Sequence, residues 1–68
     1  MTQVAEQIKF WRIERGLTQS VLAEKAGLAS KTVISGYENG LRAPSFDVLE
    51  KFAEILDVKI ELLFKGNV

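Results

Sequence analysis

The sequence predicts an all-α domain of five short helices, with the second and third arranged as a helix-turn-helix. Three observations carry that prediction. Apolar residues recur at offsets of three and four, and no stretch alternates with the period of two that a strand requires. Thr18, Ser30 and Ser45 each stand just before a helical stretch, and Gly16, Gly27 and Asn39-Gly40 each stand just after one. Pro44, the only proline, falls in a connection.

Residues 2–15 place Val4, Ile8 and Trp11 on one helical face, with Thr2 as the opening cap and Gly16 as the left-handed stop. Thr18 caps a second helix over 19–26, whose apolar face is Leu22, Ala23 and Ala26 and whose stop is Gly27. The small residues on that face allow a close crossing with the next helix, and a tight turn at a glycine suits a crossing of roughly 90–120°. Ser30 caps a third helix, about 31–38, with Val33, Ile34 and Tyr37 facing inward and Asn39-Gly40 ending it. Pro44-Ser45 opens a fourth helix over 46–56, with a stripe of Phe46, Leu49, Phe52, Ala53 and Leu56. A fifth helix over 60–64 is rich in Ile, Leu and Phe. The helical spacing of Trp11, Tyr37, Phe46 and Phe52 marks them as core rather than as base-stacking platforms. Phe10 and Ile13 lie beside the first stripe. Together with Leu62, Leu63 and Phe64 they supply either a subunit contact or a slightly larger core.

Sixty-eight residues make a single domain, 1–68. A chain of this size buries only roughly 60% of its unfolded surface, so it must pack efficiently or find a partner. It contains no cysteine and no histidine. Disulfides, thiol catalysis, a histidine proton shuttle and the usual zinc ligand sets are thereby excluded, and no cofactor or metal is implied. With no phosphate loop and too little chain to wall off a deep pocket, an enzyme is not expected. The apolar runs are too short to span a membrane, and the N-terminal residues do not read as a secretory signal, so a cytoplasmic location is expected.

The stretch from Trp11 to Leu28, which contains Leu17-Thr18-Gln19 and Leu22-Ala23, resembles the start of a lambda-repressor/Cro-type (XRE family) helix-turn-helix domain. Ile34 to Gly40 and Arg42 to Ser45 resemble its continuation, and Leu49 to Phe64 its closing helices. The resemblance covers roughly residues 8–64. It implies a five-helix lambda-repressor-like bundle that binds double-stranded operator DNA as a homodimer, with helix three in the major groove.

Carried over position by position, the resemblance implies base contacts from Lys31 and Thr32, with Ser35 one turn further on. Lysine can donate to guanine O6 and N7, and threonine offers a hydroxyl or a methyl. Phosphate contacts are implied for Gln19 at the start of helix two, Ser30 at the start of helix three, Asn39, and Arg42 in the following loop. The alternative at each position is an ordinary solvated polar residue. Arg12 and Glu38 are implied as an internal ion pair and stand outside the binding set.

Three departures from the family pattern bear on this reading. Gly27 to Ile34 spans seven steps where the family usually has six, so the turn is lengthened or the start of helix three is shifted. Gly36 stands where a long polar side chain is common; it either lets DNA approach closely or leaves that site unread. Lys59 replaces the usual serine cap, which weakens the case for a well-formed last helix.

The expected function is therefore a sequence-specific transcriptional regulator, most naturally a repressor on a palindromic operator. The alternative is an antitoxin or other interaction module that uses the same fold to bind a toxin or another regulator. Nine basic and nine acidic residues give a formal net charge of zero. The total conceals a division: residues 1–46 hold six basic and four acidic side chains, whereas residues 47–68 hold three and five. A modestly positive face is thus expected toward DNA, with the acidic closing helices pointing away.

Overall fold

The computed structural model describes residues 3–65. Five helices follow one another: α1 (Gln3–Glu14), α2 (Gln19–Lys25), α3 (Lys31–Glu38), α4 (Phe46–Leu56) and α5 (Ile60–Lys65). Each agrees with its predicted span to within a residue. Thr2, expected to cap the first helix, lies outside the described residues. Among the described residues there is no strand.

The helix ends form by the local chemistry that the sequence supplies. The side-chain oxygens of Thr18, Ser30 and Ser45 accept from the backbone N–H groups of Val21, Thr32 and Val48, at 3.1, 3.3 and 3.3 Å. Each satisfies a donor that the first helical turn leaves free. At the other end, Gly27 takes a φ of 71°, which a residue with a Cβ adopts only under strain. That turn lets Leu28 N donate to Ala23 O and Gly27 N to Glu24 O, closing the last carbonyls of α2. The same pair of bonds recurs after α1, α3 and α4. After α4 the left-handed residue is Asp57, with a φ of 55°. Aspartate is one of the few non-glycine residues that visits this region readily.

Arg15 braces this last turn from a distance. Its Nε donates to Leu56 O at 2.6 Å, and a terminal guanidinium nitrogen donates to Asp57 O at 3.3 Å. A cation there meets the negative end of α4 and satisfies carbonyls that lack helical partners. The guanidinium also lies 5.1 Å from the centroid of the Trp11 ring.

The core gathers Ile8, Leu22, Ala23, Ala26, Ile34, Leu49, Phe52, Ala53, Leu56 and Leu63. Every helix contributes to it, and Val4, Trp11 and Tyr37 pack half-buried against it. The edges of Tyr37 and Phe52 meet with ring centroids 6.0 Å apart. One expectation needs correction. Phe46 was placed on the core stripe of helix four, yet it is 56% exposed. As the first residue of α4 it projects past the rim of the core, where it stacks on Phe64 at 6.0 Å. Of the two readings open for Leu63, a subunit contact or a larger core, the second holds, because the side chain is fully buried. It plugs the α1–α5 interface, and only its neighbours on the tail reach the surface. Phe10 and Ile13 stay exposed, so they do not enlarge the core. The last helix forms without a serine cap, held by the burial of Leu63 rather than by its first turn.

Helix three begins at Lys31, where the capping pattern puts it, and Leu28, Ala29 and Ser30 connect it to Gly27. Leu28 packs on the core, which anchors this turn.

Candidate nucleic-acid interface

Successive residues of a helix are about 100° apart, which divides α3 into two arcs. Ile34 and Glu38 are buried on the inner arc, with Val33 and Tyr37 half-buried beside them. Lys31, Thr32, Ser35 and Asn39 fall on the outer arc, all exposed except Ser35, which is half-buried. The three residues expected to read bases therefore share one face of one helix with Asn39. Asn39 Nδ2 donates to Ser35 Oγ at 3.2 Å, which fixes the rotamers of both while leaving the serine hydroxyl free to donate. Ser30, exposed at the N-cap, borders the same face.

Gln19, which the resemblance places near a phosphate and as a brace of the recognition helix, bonds to the last turn of α3. Its Nε2 donates to Oε1 of Glu38 at 3.1 Å. The same carboxylate receives Arg12 Nε at 2.6 Å on Oε2 and an Arg12 terminal nitrogen at 3.1 Å on Oε1. Arg12 donates further to Leu17 O at 2.8 Å. The implied Arg12–Glu38 ion pair is thus present, and Gln19 joins it. With Glu38 only 3% exposed, the cluster holds the start of α2, the end of α1 and the last turn of α3 in one register. Gln19 is half-buried and acts here as a brace. Thr18, Gln19, Ser20 and Lys31 line a shallow cleft of about 430 Å³ between the N-terminal ends of α2 and α3.

Arg42 reaches the site by a route that the sequence does not reveal. The chain leaves α3 with both Leu41 N and Arg42 N donating to Gly36 O, at 2.9 and 3.2 Å. The side chain then folds back over Gly36. A Cβ built at that position would lie 3.1 Å from Arg42 Cδ and 3.2 Å from Cγ. Gly36 is buried beneath it, and the stem of Arg42 occupies the room that a side chain at 36 would take. The signal that could have found this was the coincidence of a missing side chain at 36 with a long one six residues on.

Lys31 and Arg42 flank the outer arc of α3, and Arg12 is neutralised by Glu38. Asp47, Glu50, Glu54 and Glu61 lie exposed on α4 and α5. Among the described residues, no group of acidic side chains is arranged to hold a metal ion.

A helix-turn-helix family model matches residues 8–63, most of the chain. The chain belongs to the helix-turn-helix family. SinR, an HTH-type transcriptional regulator of Bacillus subtilis, is 43% identical over 61 residues, covering 88% of this chain and 54% of SinR. This helix-turn-helix chain therefore spans about half the length of the curated relatives it matches. A solved structure of SinR in complex with DNA superposes with a TM-score of 0.80 at 43% identity, covering 88% of this chain and 95% of that one. A structure of a SinR–SinI protein complex gives a TM-score of 0.83 at 41% identity, covering 91% of this chain and 60% of that one.

Proposed function

We propose that this chain is the DNA-binding unit of a sequence-specific transcriptional regulator of the cytoplasm, most naturally a repressor. Helix α3 lies in the major groove with Lys31, Thr32 and Ser35 toward base edges. Ser30 and Asn39 meet phosphates at its two ends and fix the register, and Gln19 holds its rim from α2. Arg42 meets the DNA on the flank of α3. The observation that carries this reading is the outer arc of α3, polar and open from Lys31 to Asn39 while the opposite arc is sealed in the core. The likeness to SinR, solved with DNA, supports it.

The unit acts as a homodimer on a two-fold symmetric site, its two α3 helices roughly 34 Å apart, one turn of DNA. Lys31 and Arg42 are the cations of the proposed contact set in one copy, so two linked half-sites are needed for useful affinity. Selection from a randomised duplex library tests both statements. A two-fold symmetric consensus is expected, and the absence of any enrichment at low salt sinks the reading.

A second reading is a protein-interaction module, such as an antitoxin. It draws on the likeness to the SinR–SinI complex and on the exposed Phe10 and Ile13 of α1. A stable protein partner together with only non-specific DNA affinity would favour it.

A further inference from the structure

The seat of Arg42 on Gly36 assigns that arginine a sharper role than phosphate contact. Residue 36 follows Thr32 by four positions, so it continues the same stripe of α3 one turn further along. A side chain at 36 would project from the face that carries the base-reading candidates. Gly36 has none, and the stem of Arg42 passes over the vacant position, its Nε 3.5 Å from where a Cβ would stand. Among the described residues the Arg42 guanidinium makes no hydrogen bond or ion pair, so its N–H donors are free. Both backbone bonds to Gly36 O fix the point from which the side chain departs.

We propose that Arg42 acts as a surrogate side chain of the recognition helix, reaching past Gly36 to a base edge in the major groove and specifying a guanine. The planar guanidinium matches guanine O6 and N7 with two parallel hydrogen bonds, and a correct bidentate pair discriminates against the wrong base roughly 5- to 150-fold. A phosphate contact alone would not need the stem laid along the helix. An exposed loop arginine reaches a phosphate from many rotamers, and it gains nothing from an empty position 36. This assignment rests on the DNA-binding reading above and names which residue outside α3 completes its reading surface.

The test compares the wild-type chain with Arg42→Ala, Arg42→Lys and Gly36→Ala on every single base-pair variant of the selected site, with helicity checked by circular dichroism. Arg42→Ala is expected to flatten the preference at one G·C pair in each half-site and to leave the other positions within about twofold. Arg42→Lys, which keeps the charge but not the fork, is expected to lose most of that same preference. Gly36→Ala puts a methyl group under the arginine stem and is expected to blunt the same position only. A uniform loss across all positions for Arg42→Ala would reduce Arg42 to a phosphate contact and overturn the proposal. So would full retention of every preference in Arg42→Ala or in Gly36→Ala. Failure of the wild-type chain to select any site would overturn the DNA-binding reading itself, and this assignment with it.

Discussion

Arg12 and Glu38 form a two-pronged ion pair across 26 residues of sequence, at 2.6 and 3.1 Å, with the carboxylate sealed from solvent. Glu38 lies in the last turn of α3, where the helix dipole disfavours a negative charge. The pair therefore depends on its arginine. Arg12→Ala leaves a buried carboxylate with only the Gln19 amide beside it. Loss of one partner of such a pair is expected to cost about 3–5 kcal/mol. For a domain of this size that approaches the total stability. Urea denaturation should show Arg12→Ala largely unfolded where the wild-type chain is folded.

Leu63 and Ile13 separate core from surface. Both are large aliphatic residues near α1, yet Leu63 is fully buried and Ile13 is 56% exposed. Leu63→Ala is expected to destabilise by about 2–5 kcal/mol, the cost of lost burial plus a cavity. Ile13→Ala is expected to stay within about 0.5 kcal/mol. Equal losses in thermal melts would contradict this placement of α5.

Gly36→Ala sets helix propensity against the Arg42 stem. Alanine is favoured over glycine inside a helix by about 1 kcal/mol. The new methyl would crowd Arg42 Cδ and Cγ at 3.1 and 3.2 Å, atoms of an exposed side chain that can swing aside. The expected outcome is a net gain of about 0.5 kcal/mol in chemical denaturation. A loss of more than about 1 kcal/mol would mean that the arginine cannot move.

Lys31 and Arg42 should read different base pairs. Five residues separate Lys31 from Gly36, and at 1.5 Å per residue that is about 7.5 Å along α3. For a helix lying along the groove this corresponds to about two base-pair steps of 3.4 Å. Lys31→Ala is expected to relax preference about two pairs away from the position that Arg42 controls. Binding measured on single base-pair variants would show it, and coincidence of the two positions would count against the geometry.

Much of the fold was legible from short stretches. The caps at Thr18, Ser30 and Ser45 and the stop at Gly27 act on backbone groups within five residues, so local sequence is enough to place them. The stripes of Ile8, Leu22, Ile34 and Phe52 follow from helical periodicity, and these residues are the centre of the core. The outer arc of α3 was legible for the same reason, because an inward face defines its opposite. Phe46 misled because periodicity states which side of a helix a residue occupies, not whether the core extends far enough to cover the first turn.

The sequence by itself determined the helices, their ends, the inward faces and the polar arc of α3. These are set by contacts over one turn of helix, and residue type decides them. Only the tertiary structure decided that Gln19 braces Glu38, that Arg15 closes the end of α4 some 41 residues away, that Leu63 is core and that Arg42 lies on Gly36. Long flexible side chains choose among partners that the packing of whole helices brings within reach. No local pattern encodes that choice, because until the helices pack the partners are not neighbours.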